Sequence, residues 1–301
     1  MNEIWQSLID GVAVGSVLSL SAIGLSLIYG ILRLCNFAHG DYLTLGAYLT
    51  FAGNVWLNWD IWLSAVVGAV AVVLVGLIGD RLLWQALRHK KASNNTLMIT
   101  SIGLAYVLRN AIILVFGASP LRYDLPTFPP LNLGGILVTR NKIIVIIAAV
   151  VAIALISYIL QNTKIGKAMR AVGDSPELAR VSGIDVNATI FWTWVISLSL
   201  TAFGGTMYGL IANLRPNMGW LLLLPMFTAV IMGGIGNPYG AIAGAVLVGI
   251  AQEVSTTCPQ FLGDNAQYCI PTDYKLGVGL LIMILVLLWR PQGIFSKSAK
   301  G

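Results

Sequence analysis

The chain has 301 residues, of which 57% are hydrophobic and only 10% charged, and its mean hydropathy is +0.83. A globular domain usually carries about 25% charged residues, so this chain has too few to clothe a soluble surface. Its net charge of +6, from 18 basic and 12 acidic residues, is read through the excess of Lys and Arg in cytoplasmic loops, not as a nucleic-acid patch.

This composition predicts an all-α polytopic membrane protein, a single transmembrane domain over residues 1–301. Its first residues, MNEIWQSLID, carry Glu3 and Asp10 but no basic stretch, unlike a removable signal peptide. A spanning helix needs about 20 mostly apolar residues. Eight candidates follow in chain order, roughly 9–31, 37–56, 62–84, 96–116, 142–160, 188–212, 221–236 with 238–255 close behind, and 274–290. The seventh is short and glycine-rich, which leaves room for broken or re-entrant segments.

Between the first two apolar runs, LCNFAHGDYLTLGAY places Asn36, His39 and Asp41 close together. Two readings stay open. In one, these residues form a cytoplasmic turn: Asn36 caps the second helix, Asp41 sits in its first turn and His39 faces water. In the other, the chain re-enters the membrane. The helix N-terminus at 37–40 then points its free N–H groups at a substrate carboxylate, and Gly40 permits close backbone approach.

Three basic clusters orient the spans: Arg81, Arg88, Lys90 and Lys91; Lys164, Lys167, Arg170 and Arg180; and Arg290, Lys297 and Lys300. Even numbers of crossings separate them, which predicts an external (periplasmic) N-terminus and a cytoplasmic C-terminus. Arg122, Arg140 and Lys142 are the exception, beside an external loop containing PTFPP. The segment 162–187 becomes the longest polar stretch on the cytoplasmic face. Within it, Asp174 or Ser175 can cap a short helix, Pro176 suits its first position, Glu177 its first turn and Gly183 its end. Such a helix can be pushed as a lever by a moving partner, or it can be a plain solvated connector.

SLSAIG at 19–24 matches SLTAFG at 199–204, each followed by a Tyr-Gly pair, Tyr29-Gly30 and Tyr208-Gly209. With the predicted topology this would be an inverted repeat; ordinary small-residue packing also accounts for it. The pairs Gly11/Gly15, Gly205/Gly209 and Gly240/Gly244 fit close helix contact. Cys258 and Cys269 share an external loop, where a disulfide or two unpaired thiols are both open; Cys35 reads as packing. There is no P-loop, no H-E-x-x-H, no Cys/His metal cluster and no G-x-S-x-G elbow, so no catalytic residue, metal or cofactor is expected. Few acids lie inside spans, which disfavours a proton-coupled carrier. A permease driven by a separate subunit, an autonomous channel or secondary carrier, and a scaffold remain.

Short blocks narrow that choice. Glu177-Leu178-Ala179-x3-Gly183 is similar to the E-A-A-x3-G loop of ABC-transporter permeases, with Leu178 departing from the pattern and no downstream Pro. The blocks N36-F-A-H39-G40, G233-G-I-G236-N-P-Y-G240 and R290-P-Q-G293 resemble the branched-chain amino-acid ABC permease family over nearly the whole chain. The chain looks more like the shorter of the two permeases in such systems. The resemblance implies a bacterial inner-membrane importer subunit for branched-chain or other neutral amino acids. It also implies a heterodimer with a second homologous permease, two cytoplasmic ATPase subunits and an external solute-binding protein. Arg170, Asp174, Glu177, Ala179 and Gly183 become candidate coupling residues. Asn36, His39, Gly40, Asp41, Gly233, Gly234, Gly236 and Asn237 become candidates for the substrate pathway or its gate. Urea or short amides are the alternative cargo.

Overall fold

Apolar segments in a bilayer must satisfy their own backbone groups, and helices do so within one segment. The computed structural model describes residues 2–126, 129–133, 136–257, 271, 274–290 and 293–294. Its helices are α1 (Asn2–Leu32), α2 (His39–Phe51), α3 (Ile61–Gly79), α4 (Gln85–His89), α5 (Asn94–Phe116), α6 (Arg140–Asn162), α7 (Lys164–Asp174), α8 (Pro176–Val181), α9 (Val186–Ile211), α10 (Met218–Gly233), α11 (Pro238–Ser255) and α12 (Lys275–Trp289). A π-helical turn, Ala52–Trp56, extends α2, and another, Asp80–Trp84, joins α3 to α4.

Among the described residues, five helical stretches are long and apolar enough to cross a membrane: Ile4–Leu32, Ile61–His89, Asn94–Phe116, Arg140–Asn162 and Val186–Ile211. The other apolar runs fold as shorter helices. The run at 37–56 becomes helical only from His39, and 221–236 and 238–255 are two separate helices. Gly234 (φ +97°) and Gly236 (φ +82°) turn the chain between them, in the left-handed region that glycine tolerates best. The Asn237 side chain then accepts from the N–H groups of Tyr239 and Gly240 and starts α11. With α10 and α11 counted apart, nine apolar helices stand among the described residues.

The all-α expectation also misses one element. In the 117–139 connection, β1 (Leu131–Leu133) pairs antiparallel with β2 (Ile136–Val138), and Leu121 bridges Leu214. Buried Tyr123 ties this connection to the bundle by donating to the Ala47 carbonyl at 3.1 Å. Burial pushes its phenol well above the usual tyrosine value, so it stays a donor. The Cys258–Cys269 pairing lies outside the described residues; Cys35 is a partly buried free thiol.

The contacts obey a two-fold pattern. A Cβ on Gly24 would meet Ser197 and Thr201, and one on Gly204 would meet Val17 and Ser21. These pairings are the same once 180 is added to the α1 numbers, and they run α1 antiparallel to α9. The Ser197 hydroxyl donates to the Gly24 carbonyl at 2.7 Å, which such close approach permits. α2 packs on α9 and α3, as α10 packs on α1 and α11; α3 lies on α9 as α11 lies on α1. The SLSAIG/SLTAFG match therefore marks a three-helix unit, α1–α3, repeated in inverted sense as α9–α11. Glycines let the backbones touch. Gly11 and Gly15 meet Ile250 and Val246, and Gly233 and Gly244 meet Gly240 and Ala229. In lipid this packing stands in for the hydrophobic drive, which is absent between apolar helices and acyl chains.

Candidate functional site

The candidate residues fall in three places. The first is buried at the centre of the bundle. After α1 the chain folds back through 33–38, and α2 begins beside the middle of α1, not at its end. His39 Nε2 lies 2.9 Å from the Ser21 carbonyl, eleven residues before α1 ends at Leu32. At 1.5 Å per residue that is about 16 Å inside the bundle. A carbonyl only accepts, so Nε2 carries the proton and donates; Thr201 Oγ1 lies 2.9 Å from the same nitrogen. Nδ1 is buried with no partner among the described residues.

This corrects the cytoplasmic-turn reading. Asn36, His39 and Asp41 are each 0% exposed, so His39 does not face water. Asn36 does not cap α2 either; that position is Ala38, and the Asn36 side chain accepts from its N–H one turn earlier. The Ser101 hydroxyl of α5 holds the re-entrant loop, accepting from Phe37 N–H and donating to the Met98 carbonyl at 2.6 Å, with the Cys35 carbonyl 3.3 Å away.

The inverted partner of this loop is 212–217. His39 N–H bonds to the Asn36 carbonyl just before α2, and Met218 N–H to the Arg215 carbonyl just before α10. The two helix starts touch: Cβ atoms on Gly40 and Gly219 would collide with each other's carbonyls. Thr44 Oγ1 accepts from Gly219 N–H at 3.0 Å. Two half-helices thus bring their N-termini together in mid-bundle, where first-turn N–H groups and the helix dipoles favour negative charge.

Asp41, in the first turn of α2, receives both arms of Arg109. Nε to Oδ1 is 3.1 Å and Nη2 to Oδ2 is 3.2 Å. The Arg109 guanidinium also lies 5.0 Å from the Trp220 ring and 5.5 Å from the Tyr106 ring. The forked geometry and the aromatic faces are what arginine satisfies and lysine does not. Arg109 was absent from the sequence candidates. It interrupts the apolar run of α5, and a charge within a span is itself a functional signal.

The second place is the end of the bundle where α1 stops. Gly30 packs on Gly236, and Arg33 donates to the Gly173 carbonyl of α7 at 3.3 Å. Gly293 packs on the Gly234 backbone, and Ile294 N–H donates to the Met232 carbonyl at 2.7 Å. The blocks around Gly30, 233–240 and Gly293 therefore meet. A cleft of about 670 Å³ opens there, lined in part by Ser26, Arg170, Asp174, Gly236 and Asn237. Gly233 and Gly234 sit buried behind it. Gly236 meets α1 at Gly30 and His39 meets it at Ser21, nine residues earlier, so this mouth and the His39 centre are separated by about 14 Å along it. The candidate pathway residues are two sites, not one.

The third place is α8. Ser175, not Asp174, caps it by accepting from Leu178 N–H; Pro176 holds the first position and Gly183 (φ +82°) ends it. Ala179 is buried, whereas Glu177, Leu178 and Val181 are exposed. Arg170 of α7 donates to the Leu160 carbonyl and ties α7 back to α6.

A family model described as "Branched-chain amino acid transport system / permease component" matches residues 7–287. The chain belongs to this permease family. The permease is 28% identical to the "High-affinity branched-chain amino acid transport system permease protein BraD" of Pseudomonas aeruginosa, over 99% of this chain and 98% of BraD. It is 29% identical to the corresponding LivH of Escherichia coli K12, over 97% of this chain and 95% of LivH. Among solved structures, PsaBC from Streptococcus pneumoniae shares the permease's fold with a TM-score of 0.52 at 15% identity, covering 97% of this chain and 93% of that one.

Proposed function

We propose that this permease is the membrane-spanning subunit of an ABC importer for branched-chain or other neutral, apolar amino acids in the bacterial inner membrane. Its partners would be a second homologous permease, two cytoplasmic ATPases and an external solute-binding protein. The cargo class rests on what BraD and LivH are named for, and on a centre holding one ion pair, helix N-termini and hydroxyls instead of several charges.

The observation that carries the reading is α8. It is short and capped, and it shows Leu178 and Val181 to solvent at the mouth end of the bundle. α7 links it to the cleft at Gly236 and Asn237. ATPase closure would push α8, tilt α7 against the 234–237 turn and Gly30, and bias the pair of permeases between two states. The bias must come from differential contact of the ATPases with those states. Substrate released from the binding protein would pass the Gly40–Gly219 contact and leave at the cleft.

The orientation proposed is N-terminus outside and C-terminus inside, which nine crossings allow and eight do not. Arg88 and Arg180 line one cleft, while Arg170 lines another beside the Gly293–Gly234 contact, so residues of all three basic regions gather at one end. The exceptions at the other end are neutralised or bonded: Lys142 pairs with Asp10 at 2.5 Å, and Arg122 donates to Asn213.

Uptake of labelled leucine, alanine and urea by cells lacking only this chain, with and without arsenate, tests the reading. Loss of arsenate-sensitive leucine uptake is expected. Loss of urea uptake alone would keep the importer and change the cargo. Co-purification of P-loop chains with a tagged permease separates it from an autonomous carrier.

A further inference from the structure

A second cleft, of about 650 Å³, lies between the α3–α4 corner and the start of α9. It is lined by Arg81, Arg88 and His89 from the corner and by Arg180 from α8, with Asn187 and Phe191 from α9. One carboxylate stands among these bases, and it is used up. Asp80 accepts from Arg88 at 2.8 Å and from Gln85 at 3.3 Å. The side chains of Arg81, His89 and Arg180 have no hydrogen bond or ion pair among the described residues. The fold thus draws two unmatched guanidinium groups, nearly a hundred residues apart in the chain, to one opening.

What continues from that opening is apolar. Val66, Val70, Leu74, Ile78 and Leu82 recur every fourth residue along α3 into its π-helical turn, each more than half exposed. This stripe runs along the membrane-spanning part of the helix and ends at Leu82, next to Arg81 of the cleft lining. Phe191 and Trp192 stand exposed at the same level, where aromatic rings favour the headgroup region. A soluble anion would need the cations but not the stripe, and a lipid tail the stripe but not the cations.

We infer that this cleft binds the phosphodiester headgroup of an anionic phospholipid, with its acyl chains along the α3 stripe. Arg81 and Arg180 would hold the phosphate oxygens through their positive charge and charge-assisted hydrogen bonds, and Asn187 and His89 the remaining headgroup atoms. Because Arg180 belongs to α8, bound lipid would brace that helix against α3 and α9. The inference does not depend on the cargo or on the partners proposed above.

The test is native mass spectrometry of the permease, purified with whatever subunits accompany it, after titration with phosphatidylglycerol or phosphatidylcholine of identical chains. Tighter retention of phosphatidylglycerol is expected. The double variant Arg81→Gln/Arg180→Gln should lose that preference, on the order of thirtyfold for two surface guanidinium groups. Arg81→Lys/Arg180→Lys should keep most of it, which separates lost charge from lost fold. Lys164→Gln/Lys167→Gln, outside the cleft, should change nothing. Equal retention of the two lipids, or a preference indifferent to the double variant, overturns the inference. So does displacement by inorganic phosphate or glycerol phosphate at the concentration of the lipid, which would make this a soluble-anion site. Retention that vanishes whenever other subunits are attached assigns the cleft to a protein partner and overturns it too.

Discussion

Gly40 and Gly219 face each other with no room for a side chain on either: a Cβ built on one runs into the carbonyl of the other. Each is in the first turn of a half-helix, and the obstruction is backbone, which cannot rotate aside. Gly40→Ala and Gly219→Ala should each destabilise by at least the about 1–3 kcal/mol typical of overpacking. Gly103→Ala, inside α5 where a Cβ meets nothing within 4 Å, should stabilise by up to about 1 kcal/mol. Thermal unfolding of the purified permease measures all three, and an unchanged midpoint for Gly219→Ala would show that the two helix starts do not abut.

Asp41 and Arg109 form an ion pair whose carboxylate is wholly enclosed. Removing one partner leaves a buried charge, at a cost of about 3–5 kcal/mol. Asp41→Asn and Arg109→Gln should therefore lower the unfolding midpoint and reduce uptake. The apolar pair Asp41→Leu/Arg109→Met should recover much of the stability, because well-packed apolar residues often replace a buried pair without loss. Uptake should stay low in that double variant. Full uptake with full stability would make the pair a structural element only.

Leu178 is 70% exposed and Val181 88%. Both contribute little buried area to the fold, so Leu178→Ser/Val181→Ser should leave unfolding within about 0.5 kcal/mol. The same variant should lose co-purifying ATPase and stop ATP-dependent uptake. Glu177→Lys and Gly183→Trp probe the same helix. At Gly183 nothing crowds a Cβ, and the cost is the left-handed backbone alone, about 1–2 kcal/mol. Intact assembly and uptake in all of these would remove α8 as the coupling element.

Gly293 has φ +88°, and a Cβ on it would lie 2.6 Å from Gly234 N. Gly293→Ala should push the chain after α12 off the 232–234 turn and loosen the mouth. The expected readout is ATP hydrolysis that continues while uptake per ATP falls. Parallel loss of both would place the defect in assembly instead.

The long spans were legible because apolar length alone specifies them. Gly183 and Pro176 were legible because a helix end and a helix start have residue signatures. The path of 33–41 was not. A half-helix entering the bundle and a whole helix leaving a loop show the same apolar run, and only the enclosure of Asn36, His39 and Asp41 separates them. Arg109 went unread since one base inside an apolar window barely lowers its hydropathy; its position 68 residues from Asp41 gave no local hint of the pairing. The inverted repeat was visible in six residues, but its extent to three helices per unit appears only when Gly24 and Gly204 are seen exchanging equivalent partners.

The early start of α2 also dictates an order of biogenesis. Even with its π-helical extension it runs only from His39 to Trp56, and its first turn carries a carboxylate. Arg109 is made 68 residues after Asp41, Thr201 162 residues after His39, and Gly219 175 residues after Thr44. At ribosomal speed the last of these arrives about ten to thirty-five seconds later. Until then the His39–Thr201 and Thr44–Gly219 contacts cannot form, although Ser101 and Arg109 already meet Phe37 N–H and Asp41. A chain terminated before α10 should therefore be less stable than the whole permease, and the two repeats, once separated, should not mature alone.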